Sequence, residues 1–282
     1  MPQYVQKALQ KLNHTPPIKP QNSPHAWVPI TYGKQIHKAI TEDNSPLLSQ
    51  QETTNIQQIV GSFLYYARAV DDTIHPAINQ IANTQARPTQ HTRIEANILL
   101  DYLYTHPSAK LRFTKSDMQL HIDSDAAYLV AVKAKSRAAG YSYLSDKNIQ
   151  PPLSSPPTLN APIHIECILL KHVVSSAAEA ETGALFHNCQ TAIKIKEMLE
   201  ALGHQQQKMN VKADNSTAMA YCNGTLKEKI SKTWDMRYYW LQDKIQDNIF
   251  KVYWERGSNN LADYHTKHFP LLIILMSDQN IY

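Results

Sequence analysis

Apolar and polar residues alternate along Met118-Gln119-Leu120-His121-Ile122-Asp123, and again along Met209-Asn210-Val211-Lys212-Ala213-Asp214. Side chains of a strand point to opposite faces in turn, so each run predicts a strand with one apolar row. Each run ends on an Asp in the same phase, opposite that row. Two strand-end carboxylates that lie side by side repel each other unless a cation sits between them. Between the two runs, Ala177, Ala178, Ala184, Leu185, Ala192, Ile195, Met198, Leu199 and Leu202 recur mostly at helical spacing and predict a helix over residues 176–202. Glu181 lies within that stripe, while Glu179 is offset and could point to water. A carboxylate facing a core is costly unless a partner or metal neutralises it; the alternative is a stripe-edge Glu that reaches solvent. A third strand-like run, Ile249-Phe250-Lys251-Val252-Tyr253-Trp254, is followed by the turn Gly257-Ser258-Asn259 and then by Asp263. Asp263 falls in the first turn of a short helix, where it could also serve the helix dipole alone.

The remaining pattern predicts strands near residues 138–145 and 162–171 and helices near 216–222, 231–246 and 260–267. Strands first, then helix, strand, helix, strand, make an α/β domain with a mixed sheet over residues 116–270. Residues 50–115 read as helical. Residues 1–49, with Pro16, Pro17, Pro20, Pro24 and Pro29, read as an extended or poorly ordered linker. A Pro-rich insertion at 150–162 separates the second and third strands, and residues 271–282 form a tail.

Composition narrows the chemistry. With 43% hydrophobic residues among 282 there is enough to bury a core, and a net charge of +4 permits nucleic-acid binding without demanding it. Seven glycines, none in a phosphate-loop pattern, argue against a nucleotide cradle. Cys167, Cys189 and Cys222 have no spacing suited to zinc or to a disulfide framework, and read as small buried hydrophobes in a reducing compartment. No signal peptide is legible, and the apolar run at 269–276 is too short to span a bilayer. The expectation is a protein that is not secreted and has no membrane partner.

The order strand Asp, helix Glu, strand Asp, terminal-helix Asp resembles the ribonuclease H catalytic set. More closely, the chain resembles the connection and ribonuclease H region of copia-type LTR retrotransposon Pol polyproteins. The resemblance rests on six ordered segments: His121–Ala126, Ser136–Tyr141, Ser176–Glu181, Asp214–Ala218, Trp234–Tyr239 and Leu261–Lys267. It extends upstream through Gln57–Arg68, His75–Asn79 and Ile94–Leu103, which resemble the thumb and connection that follow a reverse transcriptase palm. No Tyr-x-Asp-Asp polymerase signature occurs in the chain.

The resemblance implies a ribonuclease H-like mixed five-stranded sheet flanked by helices, preceded by a small helical region. It implies a two-metal ribonuclease that cuts the RNA strand of RNA–DNA hybrids during reverse transcription, with Asp123, Glu181, Asp214 and Asp263 holding two Mg²⁺ (or Mn²⁺) ions. It also implies the polymerase part of the same polyprotein as a partner, and a place in cytoplasmic virus-like particles, the nucleus or both. Arg137 and Arg237, inside matching segments, are the candidate substrate contacts, with Asn215 and Ser216 after Asp214. Arg237 could equally be an ion-pair partner of Asp235 or Asp243. Asp125 shares the face of Asp123 and reads as a loop-capping residue, with a supporting place behind the ligands as the alternative. His265 reads as a surface residue. Two other classes stay open: an inactive or domesticated nucleic-acid-binding remnant, and an integrase-like nuclease. The latter would normally bring a His-His-Cys-Cys module that is absent here.

Overall fold

The computed structural model describes residues 1–26, 43–146, 160–224 and 235–267. The chain divides into two compact units, one built from the residues up to 112 and the other essentially from 113–266. The Pro-rich insertion up to residue 159, Trp234 and the C-terminal tail fall outside the described residues.

The first unit is helical: α1 (Tyr4–Lys11), α2 (Gln50–Ala69), α3 (His75–Thr84) and α4 (Gln90–Thr105). In α2, Ile56, Ile59, Val60, Phe63 and Ala67 recur at helical spacing and form the buried face. Ser49 starts this helix with a reciprocal capping box, its hydroxyl accepting from the Glu52 N–H while Glu52 accepts from the Ser49 N–H. Thr89 and Thr92 start α4 in the same way. Phe63, Ile74, Ile78, Leu99 and Leu103 make the centre of the core. The expected extended segment at the N-terminus is corrected over Tyr4–Lys11. Val5 and Leu9, four residues apart, are buried in the same core, and the Tyr4 ring stacks on Tyr66 with 5.5 Å between centroids. The prolines that suggested a linker all lie after this helix.

The second unit holds β1 (Gln119–Ala131), β2 (Lys135–Ser145), β3 (Pro162–Leu169), α5 (Ala177–Ala201), β4 (Met209–Ala213), α6 (Ser216–Cys222), α7 (Asp235–Gln246), β5 (Phe250–Trp254) and α8 (Asp263–Thr266). The strands form one sheet in the order β3-β2-β1-β4-β5. β3, β2 and β1 are antiparallel, whereas β1, β4 and β5 are parallel. This is the α/β class with the mixed five-stranded sheet that the sequence predicts. Parallel neighbours need crossovers, and α5 supplies the one into β4, with α6 and α7 leading from β4 to β5.

Leu120, Ile122, Val211 and Ala213 turn one face of the sheet toward Leu185, Cys189 and Ala192 of α5. Close approach there depends on Gly140. The Asn188 amide fills the space a β-carbon would take, donating to the Ser124 Oγ and to the Ala139 carbonyl, each at 2.8 Å. The opposite face presents Ala139, Tyr141, Tyr143 and Ile165, and Leu261 and Ala262, just before α8, pack over them. All three cysteines are free and buried, as their pattern predicts.

On that second face His121 is buried beside Tyr143, with ring centroids 5.6 Å apart. Burial lowers its pKa from 6.5 to about 4, with the Lys212 charge adding to the effect and Asp146 opposing it. Between those two values the folded chain binds fewer protons than the unfolded one. The stability held by neutral His121 is therefore complete above pH 6.5 and is lost as pH falls toward 4. Across that window wild type is expected to lose about 3 kcal/mol more than His121→Gln, as measured by denaturant unfolding at successive pH values. Equal slopes would show that the imidazole is not held neutral.

Candidate metal centre

Strand register decides which carboxylates meet. β1 and β4 run parallel with Asp123 opposite Lys212 and Ser124 opposite Ala213. The next step along both chains brings Asp125 level with Asp214. From the first turns of α5 comes Glu181, and oxygen atoms of Asp125, Glu181 and Asp214 lie within 4.8 Å of one another. Asp125 and Glu181 are buried and Asp214 is half-buried.

The same register places Asp123 apart from that group. Its Oδ2 accepts from the Lys212 Nζ and from the Leu261 N–H, each at 3.0 Å, so it faces a cation of the protein and is not in the carboxylate cluster. Burial pushes its carboxyl above the ordinary range, against the pull of Lys212 and the Leu261 N–H. Asp125, expected as a capping residue, takes the place beside Glu181 and Asp214. Its Oδ2 accepts from the Thr266 hydroxyl of α8 at 2.5 Å. The sequence signal is the Asp123-x-Asp125 repeat itself, which puts both carboxylates on one face; the register against Lys212-x-Asp214 then pairs one with the lysine and leaves the other beside Asp214.

Asp263 begins α8 and is half-buried. It is not among the three grouped carboxylates, but its carbonyl lies 2.9 Å from the Thr266 hydroxyl that reaches Asp125. Glu179 does not point to water; its Oε2 accepts from the Ser175 N–H and hydroxyl at 2.6 and 2.7 Å, closing the start of α5. His265 is corrected from the surface to the interior, 1% exposed, with its ring stacked near Tyr141.

The substrate-contact candidates separate. Arg137 is buried and donates to the Thr266 carbonyl of α8 at 3.4 Å. Asn215 caps α6, its Oδ1 accepting from the Thr217 and Ala218 N–H groups. Ser216, the first residue of α6, is exposed. Arg237 is half-buried on α7, over the Phe186 ring, and donates to His172 Nε2 at 2.6 Å. Burial and the Arg237 charge lower the pKa of His172, consistent with a neutral acceptor.

The three carboxylates form an all-oxygen donor set of the kind that Mg²⁺ and Mn²⁺ prefer, and like charges this close favour a cation among them. The residues present therefore fit a hard divalent ion. Asp214 is fixed from two sides. The Trp254 indole donates to its carbonyl at 2.8 Å, and a β-carbon at Gly257 would come within 2.8 Å of its Oδ2. Gly257→Ala is accordingly expected to displace the Asp214 carboxylate and weaken Mn²⁺ binding by about tenfold, with a thermal midpoint close to wild type without metal. Unchanged Mn²⁺ affinity in a titration followed by electron paramagnetic resonance would refute this.

No helix among the described residues is long and apolar enough to cross a membrane. No protein-family model matches the chain. Among solved structures, the chain resembles the N-terminal RNase H domain of a Mycobacterium tuberculosis protein, with 11% identity, 57% of this chain and 98% of that one covered, and a TM-score of 0.36. A second is LC11-RNase H1, isolated from compost by a metagenomic approach, with 12% identity, 52% and 91% covered, and a TM-score of 0.38. A third is the foamy viral protease-reverse transcriptase in complex with an RNA/DNA hybrid, with 13% identity, 77% and 26% covered, and a TM-score of 0.48. In sequence, the chain is 23% identical over 272 residues to the retrovirus-related Pol polyprotein from transposon TNT 1-94 of Nicotiana tabacum. It spans about a fifth of that polyprotein's length, since 19% of it is covered. With 95% of the chain matched, the similarity to a retrotransposon Pol polyprotein runs through both units.

Proposed function

We propose that the α/β unit is a divalent-metal-dependent ribonuclease that hydrolyses the RNA strand of RNA–DNA hybrids, as the ribonuclease H part of a retrotransposon polyprotein. The observation that carries the reading is the meeting of Asp125, Glu181 and Asp214, from three separate elements, with oxygens within 4.8 Å. Similarity to a Pol polyprotein along the chain supports the substrate class. The residues that would hold Mg²⁺ or Mn²⁺, two ions in this reading, are Asp125, Glu181 and Asp214, with Asp263 as the fourth carboxylate. When bound, the metal supplies Lewis acidity at the scissile phosphate and an activated water for in-line displacement.

The chain's own residues do the positioning. Thr266 donates to Asp125 Oδ2 and so orients that carboxylate. Glu179 closes the turn that carries Glu181. The 2′-hydroxyl distinguishes an RNA strand from DNA, and the expected products carry 5′-phosphate and 3′-hydroxyl ends. The polymerase part of the same polyprotein is the proposed partner, in a cytoplasmic virus-like particle or the nucleus.

A second reading, a binding remnant without activity, draws on the Asp263 carboxylate lying outside the grouped three. Cleavage of a labelled RNA–DNA hybrid with Mg²⁺ or Mn²⁺, beside single-stranded RNA, duplex DNA and an Asp214→Asn control, separates the two. Metal-dependent cutting of only the hybrid's RNA strand, lost in Asp214→Asn, supports the ribonuclease. A folded chain that binds the hybrid without cutting it supports the remnant.

A further inference from the structure

We infer that the buried Lys212–Asp123 pair is a latch. It holds residues 255–263 against the carboxylate site and makes both side chains positioning residues for the metal-dependent reaction. The inference rests on the ribonuclease reading for its link to catalysis, but the latch itself stands on contacts. Lys212 Nζ reaches three acceptors from different parts of the chain. They are Asp123 Oδ2 on β1 at 3.0 Å, the Asn259 carbonyl at 3.0 Å and Glu255 Oε2 at 3.7 Å. Asp123 Oδ2 in turn accepts from the Leu261 N–H at 3.0 Å. The neighbouring Asn260 Nδ2 donates to the Ser124 carbonyl at 2.8 Å, and the Glu255 N–H to the Ala213 carbonyl at 3.1 Å.

Lys212–Asp123 joins β4 to β1, and each of the other contacts ties residues 255–261 to β1 or β4 within two residues of Asp125 or Asp214. The tied segment contains Gly257, which abuts the Asp214 carboxylate, and it leads directly into Asp263 and Thr266. An apolar pair could fill the same interior without loss of stability. It could not bridge a strand carboxylate to a loop carbonyl and satisfy a loop N–H as well. Those tasks require a multi-donor cation and an acceptor, which is what these two positions supply. Removing the pair should therefore free the segment and let the outer support of the metal ligands relax. Partners of this kind are typically worth about 10–100-fold in metal affinity or activity.

The test uses the full chain and an Asp123→Leu/Lys212→Met double variant, with Lys212→Arg as the variant that keeps the cation. Hydrogen exchange and a Mn²⁺ titration followed by electron paramagnetic resonance are read on each. The latch predicts that amides in 255–263 exchange at least about tenfold faster in the double variant while β1 and β4 stay protected. It also predicts that Mn²⁺ affinity falls about tenfold and that Lys212→Arg recovers part of both. In hybrid cleavage the loss should fall on kcat rather than KM. Unchanged exchange in 255–263, or faster exchange with Mn²⁺ affinity intact, overturns the latch. Should the double variant not fold, wild type alone decides. The Leu261 amide must then exchange with the sheet amides, and exchange at loop rates overturns the latch. If wild type binds Mn²⁺ without cutting hybrid, the ribonuclease reading fails while the exchange and Mn²⁺ results still judge the latch.

Discussion

Asp125→Asn is expected to reduce metal-dependent cleavage of an RNA–DNA hybrid on the order of a thousandfold, or about 4 kcal/mol of barrier, while leaving the metal-free protein as stable as wild type or more so. Asn keeps the shape of the side chain, and its Oδ1 can still accept from the Thr266 hydroxyl that lies 2.5 Å from Asp125 Oδ2. What it removes is one of three negative charges whose oxygens gather within 4.8 Å. Without metal those charges repel, so neutralising one relieves the fold. With metal the same change deletes an anionic ligand. The two effects have opposite signs, as expected where function is held at a cost in stability. Single-turnover cleavage and thermal denaturation with and without Mg²⁺ check both halves. Wild type should gain stability on adding Mg²⁺ and the variant much less, because only ligand binding to the folded state shifts its midpoint. Asp123→Asn is the comparison variant: it leaves all three grouped carboxylates in place and weakens only the contacts to Lys212 and Leu261, so its loss should not exceed the roughly 10–100-fold of a positioning residue. Equal loss in the two variants would sink the assignment of Asp125.

The sheet was legible in the sequence because its strands carry strict alternation, and the α5 stripe because it carries a helical period. Where the alternation ran out, so did the reading. The apolar row Leu120, Ile122 passes to Ser124, which is fully buried under Asn188 and so continues the inward face without an apolar side chain. By hydrophobicity β1 therefore ends at Asp123, although its hydrogen bonding runs to Ala131. Two residues past that end stands Asp125, the carboxylate that meets Glu181 and Asp214. A second miss has a related cause. Alternation implies one wet face, yet the sheet is covered on both sides, so His121, Asp123 and Lys212, all in the polar phase, are buried. His265 and Arg137 went the same way because α8 is only four residues long and packs inward against β1 and β2. Glu181 and Asp214 were legible because each is fixed by its own element, one by the helix stripe and one by the strand end. Pairing between distant strands is a different matter, being set by register, which a single strand's pattern does not contain.

Lys212→Met alone is expected to destabilise the second unit by roughly 3–5 kcal/mol, and Asp123→Leu/Lys212→Met to restore most of that loss. The pair is buried, the lysine side chain 4% and the aspartate side chain 2% exposed. Solvent screening therefore does not discount it as it would a surface bridge. Removing the lysine leaves Asp123 with the Leu261 N–H but without a counter-charge, and the full cost of burying a carboxylate falls on the fold. Removing both charges replaces an ion pair with an apolar contact beside Tyr143, which is neutral to favourable in global stability even while the loop contacts of Lys212 are lost. The pH dependence gives an independent check. Burial already holds the Asp123 carboxyl above its ordinary 3.8, and loss of the opposing cation raises it further. A folded pKa above the unfolded value means that the folded state takes up protons more readily. The deficit of Lys212→Met is thus full above the raised pKa and shrinks as pH falls through it toward 3.8. Urea unfolding of wild type, the single and the double variant at neutral and acid pH measures all of this. A single-variant deficit that stays constant with pH, or a double variant as unstable as the single, would mean that the uncompensated Asp123 charge is not what the lysine neutralises.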